Sequence, residues 1–174
     1  HEQHDSMVAR ANSQLCHARV NPSVRTALGG LSAGTALWSR WACGFENVPA
    51  IDRLAPPRPE RFVYALWGGL LHTGVIVASV YLYDDSGLSQ RNRDLLHAIG
   101  LFLRALGKPF LLGADWQVHP DALRASGWPT LIEAQVVAPE APTYVSGATQ
   151  STIDYFVVSD LLGDYAEMTC VVLE

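Results

Sequence analysis

The sequence has few of the features that mark disulfide-bonded, zinc-binding or secreted proteins. Its 174 residues include three cysteines, Cys16, Cys43 and Cys170, which are widely spaced and form no Cys-x-x-Cys pair. An odd number of isolated cysteines is typical of free thiols in a reducing compartment. Neither a Cys/His zinc spacing nor a basic-then-apolar leader is visible, so an intracellular protein, cytoplasmic or nuclear, is favoured and the compartment itself stays open.

Long hydrophobic runs are also scarce. The stretch from Phe62 to Tyr83 carries no formal charge and is long enough to cross a bilayer. Gly68, Gly69 and Gly74 interrupt it, however, and its second half is rich in β-branched residues. This pattern favours two β-strands joined by a glycine-containing turn, so we expect no membrane partner.

Basic residues are fewer than acidic ones, with 12 Lys and Arg against 17 Asp and Glu, which gives a net charge of −5. A domain that grips nucleic acid mainly through its phosphates is expected to be basic. The balance therefore weakens nucleic acid as a partner, but it does not exclude a phosphate ester held through a metal ion. With 49% apolar and 17% charged residues, the chain can bury a sizeable core, and we expect a single domain over residues 1–174.

The stretch from Lys108 to Gln117 combines a buried strand with polar residues at its end. Pro109–Leu112 form a short apolar run, and a Gly-Ala pair then lets the backbone leave the sheet. Asp115 and the amide of Gln117 follow at the carboxyl end of the strand, where ligands collect in layered α/β proteins. Such a pair can direct oxygen ligands and a hydrogen-bond donor at one metal-bound phosphate. The alternative is an acid that caps a strand-to-loop turn.

Hydrophobic periodicity predicts a mixed set of helices and strands around this stretch. The clearest helix spans Ser89–Leu106, between Ser89 as N-cap and Gly107 as a stop. Shorter helices are predicted over residues 5–18 and 120–126, and an irregular connection over 47–60. The predicted strands cover residues 36–38, 61–65, 74–83, 109–112, 131–138, 152–159 and 168–173. Many strands and few helices indicate a mixed α/β sandwich.

Five short motifs occur in order along nearly the whole chain. They are HEQH at 1–4, GGLSAGTALWSR at 29–40, VASVYLYDDSGLSQRN at 77–92, LLGADWQ at 111–117 and STIDYFVVS at 151–159. In this order they resemble the endonuclease/exonuclease/phosphatase superfamily. Within it they are most similar to the endonuclease domains that accompany retrotransposon reverse transcriptases. The corresponding family motifs are Gln-Glu-Thr-His, Gly-Gly-x-Ser-Gly-Gly, a Tyr-bearing strand followed by a helix, Gly-Gly-Asp-Phe-Asn and Arg-Ile-Asp-Tyr-Ile-x-x-Ser.

The resemblance implies a four-layer α-β-β-α sandwich of two mixed β-sheets, and hydrolysis of phosphoesters with Mg²⁺ or Mn²⁺. It assigns Glu2 as a metal ligand and Asp115 as the group that orients or deprotonates the attacking water. Tyr81 would contact the phosphate, and Gln117 would stand where the family's Asn contacts it. Asp154 would orient a His that protonates or stabilises the phosphate side.

The resemblance also implies parts that lie outside the given sequence. The family's first strand, with an Asn near its end, would precede residue 1, and its closing His motif would follow residue 174. We therefore expect a fold that is incomplete at both termini. None of the six histidines stands in the place of the closing His, although His119, four residues after Asp115, is near enough in sequence to approach the site. At position 117 the family's Asn is a Gln, one methylene longer.

Three functions stay open from the sequence. The first is a metal-dependent phosphodiesterase, most simply an endonuclease acting on nucleic acid, fused to or associated with a reverse transcriptase in the parent protein. The second is a catalytically inactive remnant or non-catalytic module on the same fold, which the departures from the family pattern favour. The third is a phosphatase of small phosphorylated molecules. For residues 1–174 alone we expect negligible turnover.

Overall fold

The computed structural model describes residues 2–14, 16–27, 29–40, 58–68, 71–84 and 87–163, with side chains from Asp5 onward. The chain forms two compact units, His1–Tyr81 and Leu82–Glu174. Both units combine helices with strands, which confirms the predicted mixed α/β fold class. Cys16 is a free thiol, as predicted, whereas Cys43 and Cys170 lie outside the described residues.

The first unit combines one helix with antiparallel strand pairs. Its elements are α1 (Glu2–Ser13), β1 (His17–Asn21), β2 (Val24–Arg25), β3 (Leu31–Ser32), β4 (Thr35–Ser39), β5 (Phe62–Trp67) and β6 (Val75–Tyr81). Strand β1 pairs with β4, β2 with β3, and β5 with β6. The helix predicted over residues 5–18 ends early, at Ser13, because His17–Asn21 pair with β4 instead.

The charge-free stretch forms two strands rather than a helix, as predicted. All of Phe62–Leu66 in β5 is buried, and β5 pairs with β6 in antiparallel register. Gly74 precedes β6 with a φ of 71°, and a Cβ at this position would meet a Leu66 side-chain carbon at 2.8 Å, so glycine is required here. Within the described residues, no helix is both long and apolar enough to span a membrane.

The second unit is organised around β11, which lies antiparallel between β7 and β8. Its elements are α2 (Gln90–Leu106), β7 (Phe110–Asp115), α3 (Pro120–Ala125), α4 (Trp128–Leu131), β8 (Ala134–Val137), β9 (Tyr144–Ser146), β10 (Thr149–Ser151) and β11 (Asp154–Ser159). A 3₁₀ turn at Asp160–Leu162 follows.

The predictions for this unit are largely confirmed, with two differences. The strand predicted over 131–138 is shorter, because Leu131 ends α4 and β8 begins only at Ala134. The β9–β10 hairpin was not predicted from the sequence. The strand predicted over 168–173 and residues 47–57 of the irregular connection lie outside the described residues.

Helix α2 follows its sequence pattern closely. The Ser89 side chain accepts a hydrogen bond from the Asn92 N–H at 3.3 Å, and Gly107 ends the helix in the left-handed conformation. Its buried face includes Leu95, Ile99 and Leu103. Apolar residues recurring at three- and four-residue steps therefore bury one side of the helix, as expected for an amphipathic element.

Three aromatic side chains form the core beneath the end of β7. The Trp116 ring stacks on Tyr155 at 5.4 Å between centroids and lies 6.0 Å from Trp128. The Trp116 indole donates to the Tyr155 carbonyl oxygen at 2.9 Å, and the Trp128 indole donates to the Leu96 carbonyl oxygen at 2.7 Å. Each buried indole thus has a hydrogen-bond acceptor, which fixes its orientation as well as its burial.

Asn92 anchors the loop that leads into α2. Its side chain is fully buried, and its Oδ1 accepts from the Tyr83 N–H at 2.8 Å. Its Nδ2 donates to the carbonyl oxygens of Tyr83 at 3.0 Å and Gly87 at 2.8 Å. One amide therefore satisfies three buried or partly buried backbone groups.

We predict that Asn92→Ala lowers the free energy of unfolding by about 1–3 kcal/mol, because backbone groups around Tyr83 lose their partners without gaining water. Urea denaturation followed by circular dichroism measures the change. The matched control is Asn12→Ala, at an exposed position on α1, which should shift the free energy of unfolding by no more than about 0.5 kcal/mol. Equal effects of the two substitutions would contradict the anchoring role.

Candidate active site

The register of β7 against β11 places Asp115 directly opposite Asp154. In the next pair, the Trp116 N–H donates to the Ile153 carbonyl oxygen at 2.7 Å. Asp115 and Asp154 therefore occupy a non-hydrogen-bonded position, where opposed side chains lie on the same face of the sheet and approach most closely. Asp115 is partly buried and Asp154 is exposed. Two acids far apart in the sequence thus meet at the end of two neighbouring strands.

Hydrogen bonds to their backbone groups hold both acids in place. The Leu82 N–H donates to the Asp115 carbonyl oxygen at 3.2 Å. On the other strand, the Thr143 hydroxyl oxygen accepts from the N–H groups of Ile153 and Asp154, each at 3.0 Å. Asp115 is the last residue of β7, whereas the sequence predicted it just past the end of the strand. The two carboxylates are therefore carried by ordered backbone and not by a free loop.

Gln117 folds back onto Asp115. Its side-chain Nε2 donates to Oδ1 of Asp115 at 2.8 Å and lies 2.9 Å from Oδ2, so it contacts both carboxylate oxygens. The Gln117 backbone N–H also donates to Oδ1, at 3.3 Å. Gln117 adopts a φ of 50°, in the left-handed region that few residues other than Gly, Asn and Asp favour.

Competing effects act on the Asp115 carboxyl. Burial raises its pKa above the ordinary value of 3.8, and this is the largest effect. The hydrogen bonds from Gln117 lower the pKa, whereas the negative charges of Asp154 and, more weakly, Asp84 raise it. The net direction is upward. A carboxylate with a raised pKa is a stronger base than an ordinary surface acid, which suits a group that takes a proton from water.

The remaining residues assigned from the sequence belong to the first unit or have other partners. Glu2 is the first residue of α1 in the first unit, and its side chain is outside the described part. Tyr81 ends β6 in the same unit, with the Arg61 guanidinium 5.3 Å from its ring centroid. His119 caps α3, since its Nδ1 accepts from the Asp121 N–H at 3.3 Å. The structure therefore brings together Asp115, Gln117 and Asp154 within the second unit.

Two residues that act on this pair of acids were not singled out from the sequence. Asp84 directly follows the strand predicted over 74–83, so the argument that places ligands at strand ends could have identified it. Thr143 lies in an Ala/Pro-containing stretch without periodicity, and only the fold shows that its hydroxyl supports Asp154. Among the described residues, no group of three or more His, Cys, Asp or Glu side chains is arranged to hold a metal ion.

No protein-family model matches the sequence, and no curated protein matches it either. Solved structures share its fold. They include the endonuclease domain of TRAS1, a telomere-specific non-LTR retrotransposon, with a TM-score of 0.58 at 16% identity over 84% of this chain and 67% of that one.

Two bacterial toxins also match in fold. The cytolethal distending toxin from Actinobacillus actinomycetemcomitans gives a TM-score of 0.51 at 18% identity over 78% of this chain, and that from Haemophilus ducreyi gives 0.51 at 16% over 83%. This chain spans only 52% and 53% of those two chains. All three structures have endonuclease/exonuclease/phosphatase-type folds, so the resemblance carried by the five motifs is confirmed at the level of fold.

The raised pKa of Asp115 has a consequence for stability. The folded protein holds this proton more tightly than the unfolded chain, so stability should fall as pH rises from 3.8 through the raised pKa. The Asn side chain of Asp115→Asn cannot ionise. The free energy of unfolding of this variant should therefore rise relative to that of the wild type as the pH increases through this range. We expect a gain of roughly 0.2–1 kcal/mol at neutral pH, because Asn has no charge to desolvate and meets no like charge across the strands, and solvent screening keeps both effects small at this partly exposed position.

Urea denaturation at about pH 3 and about pH 7 measures this difference, since an ordinary Asp titrates between them. Asp94→Asn serves as the control, because it removes one exposed carboxylate from α2 without touching the Asp115–Asp154 pair. If the difference in unfolding free energy between the wild type and Asp115→Asn were the same at both pH values, the pKa of Asp115 would not be raised in the folded protein.

Proposed function

We propose that this chain is the phosphoester-hydrolysing part of a metal-dependent phosphodiesterase, an endonuclease that acts on nucleic acid. The observation that carries the proposal is the meeting of Asp115 and Asp154 on one face at the ends of β7 and β11. The fold shared with a retrotransposon endonuclease domain supports the reaction class. In the parent protein, such a domain would accompany a reverse transcriptase.

Asp115 is the residue best suited to prepare the attacking water. Its partly buried carboxylate has a raised pKa, so it accepts a proton more readily than a solvated Asp. The charge of Asp154 adds to this basicity, because removing a negative neighbour would lower the pKa of Asp115. The Gln117 side chain contacts both oxygens of this carboxylate. Tyr81 remains the proposed phosphate contact from the first unit.

The donor set around Asp115 suits a hard divalent cation. Asp115 and Asp154 offer carboxylate oxygens on one face, and Mg²⁺ takes oxygen ligands while keeping several waters, so one or two carboxylates suffice. Glu2 is the ligand that the motif resemblance assigns. When bound, Mg²⁺ or Mn²⁺ would neutralise charge on the phosphoryl oxygens. The chain's own contribution is to hold the base, orient it and limit the water around it.

A non-catalytic module is the second candidate, and two observations favour it. The Gln117 amide already contacts both oxygens of Asp115, which leaves fewer lone pairs for a water. His119, the histidine nearest in sequence, is engaged as the cap of α3. A phosphatase of small phosphorylated molecules is the third candidate, favoured by the net charge of −5, which weakens long-range attraction to nucleic acid.

The sequence alone predicts negligible turnover for residues 1–174. From the meeting of the two acids we predict instead slow nicking of supercoiled plasmid in the presence of Mg²⁺ or Mn²⁺. Asp115→Ala should lower the rate at least about 100-fold, the range expected for loss of a general base. Asp154→Ala should lower it less, because Asp154 acts through Asp115. Gel separation of supercoiled, nicked and linear forms measures the rate.

The matched control is Asp121→Ala, which removes an exposed Asp from α3, six residues along the chain from Asp115. It should nick at the wild-type rate. Activity that survives Asp115→Ala would contradict the assigned base. Complete absence of nicking with either metal would favour the non-catalytic module, and release of phosphate from an inositol phosphate without nicking would favour the phosphatase.

A further inference from the structure

Gln117 makes a contact that the resemblance does not assign to it. We propose that Gln117 is a positioning residue, whose side-chain amide holds the Asp115 carboxylate in one orientation and leaves a second N–H directed away from it. The proposal concerns how the site is organised and rests on the proposed function only for its effect on turnover. Three observations carry it: the two side-chain distances, the planar geometry of the amide and the backbone conformation at residue 117.

The distances fit one amide hydrogen shared between both oxygens. Nε2 lies 2.8 Å from Oδ1 and 2.9 Å from Oδ2, nearly equidistant from the two. Seen from one nitrogen at these distances, the two oxygens of a carboxylate lie about 45° apart, whereas the two hydrogens of a planar amide diverge by about 120°. One N–H is therefore shared between the oxygens. The other is directed elsewhere, and no described residue accepts it.

The shared hydrogen bond fixes more than a distance. A donor centred between both oxygens constrains the rotation of the carboxylate about its last bond, which a donor to one oxygen does not do. The remaining lone pairs of Asp115 then face a fixed direction. Orientation of this kind is what a general base needs before its substrate arrives, since a misplacement near 1 Å can cost about a hundredfold in rate.

The backbone at residue 117 separates this role from simple turn formation. The Gln117 N–H to Oδ1 contact is a local Asp-centred turn that any residue at 117 can donate. The φ of 50° is one that Asn adopts more readily than Gln. If only the turn mattered, Asn would serve at least as well. The Gln side chain adds the one methylene that lets the amide reach across both carboxylate oxygens.

The matched comparison within the chain is Gln90. Its Nε2 donates to Asp94 Oδ1 at 2.8 Å on the exposed face of α2, a side-chain amide to carboxylate contact without any site around it. Gln117→Met keeps the length of the side chain and removes both N–H groups, and Gln117→Asn keeps the amide and shortens it. Gln90→Met repeats the first change where we expect no functional effect.

The first measurement is independent of activity. In ¹⁵N–¹H spectra of the full chain, Asp115→Ala should shift the Gln117 side-chain amide resonances and reduce the separation between its two protons, while the Gln90 resonances stay in place. An unchanged Gln117 amide would overturn the proposal, whether or not the protein hydrolyses any substrate.

The second measurement uses plasmid nicking with Mg²⁺. Gln117→Met and Gln117→Asn should both lower kcat by about 10- to 100-fold, the scale of a misplaced reacting group, with KM changed less than about threefold. Gln90→Met should match the wild type. A kcat equal to wild type in Gln117→Met, or a loss confined to KM, would overturn the positioning role and leave the proposed function standing. No nicking by the wild type would instead defeat the proposed function, and the amide spectra would still decide the contact.

Discussion

The antiparallel register between β7 and β11 is the constraint on which the candidate site depends. Because side chains alternate between the two faces of a strand, a slip of one residue would send Asp115 and Asp154 to opposite faces. The aromatic core prevents that slip. Trp116 stacks on Tyr155 and donates to its carbonyl oxygen, while the Tyr155 hydroxyl donates to the Val118 carbonyl oxygen at 3.0 Å. The packing of the two aromatic residues that follow the acids in sequence therefore sets the geometry of the acids themselves.

The same register brings together groups that repel one another. The partial burial of Asp115 disfavours its charged form, and the negative charge of Asp154 on the facing strand adds to that cost. Gln117 offsets part of that cost, with a backbone conformation that its side chain does not prefer. Strained and charged groups in one place are what a reactive site requires.

Much of this arrangement could be predicted from the sequence, and the reasons differ from element to element. Helix α2 has strong apolar periodicity, and strands β7 and β11 are short apolar runs, so local sequence was enough to predict all three. The position of Asp115 at the end of a buried strand followed from the same pattern. The early end of α1 at Ser13 and the Thr143 contact depend on pairing with residues far along the chain, which periodicity does not contain. The fold of Gln117 onto Asp115 depends on one backbone dihedral angle, which residue identity would not have suggested.

The central proposal is that a divalent cation and its phosphate ester bind at the Asp115–Asp154 end of the β7–β11 pair. Titration with Mn²⁺ at less than one equivalent, followed by paramagnetic broadening of backbone amide resonances, tests it most directly. The account predicts that Asp115, Gln117 and Asp154 broaden first, while Phe110 and Ser159, at the other end of the same two strands and about 17 Å away along each strand, broaden only later. Broadening that begins at Phe110 and Ser159, or that is uniform along both strands, would contradict the account.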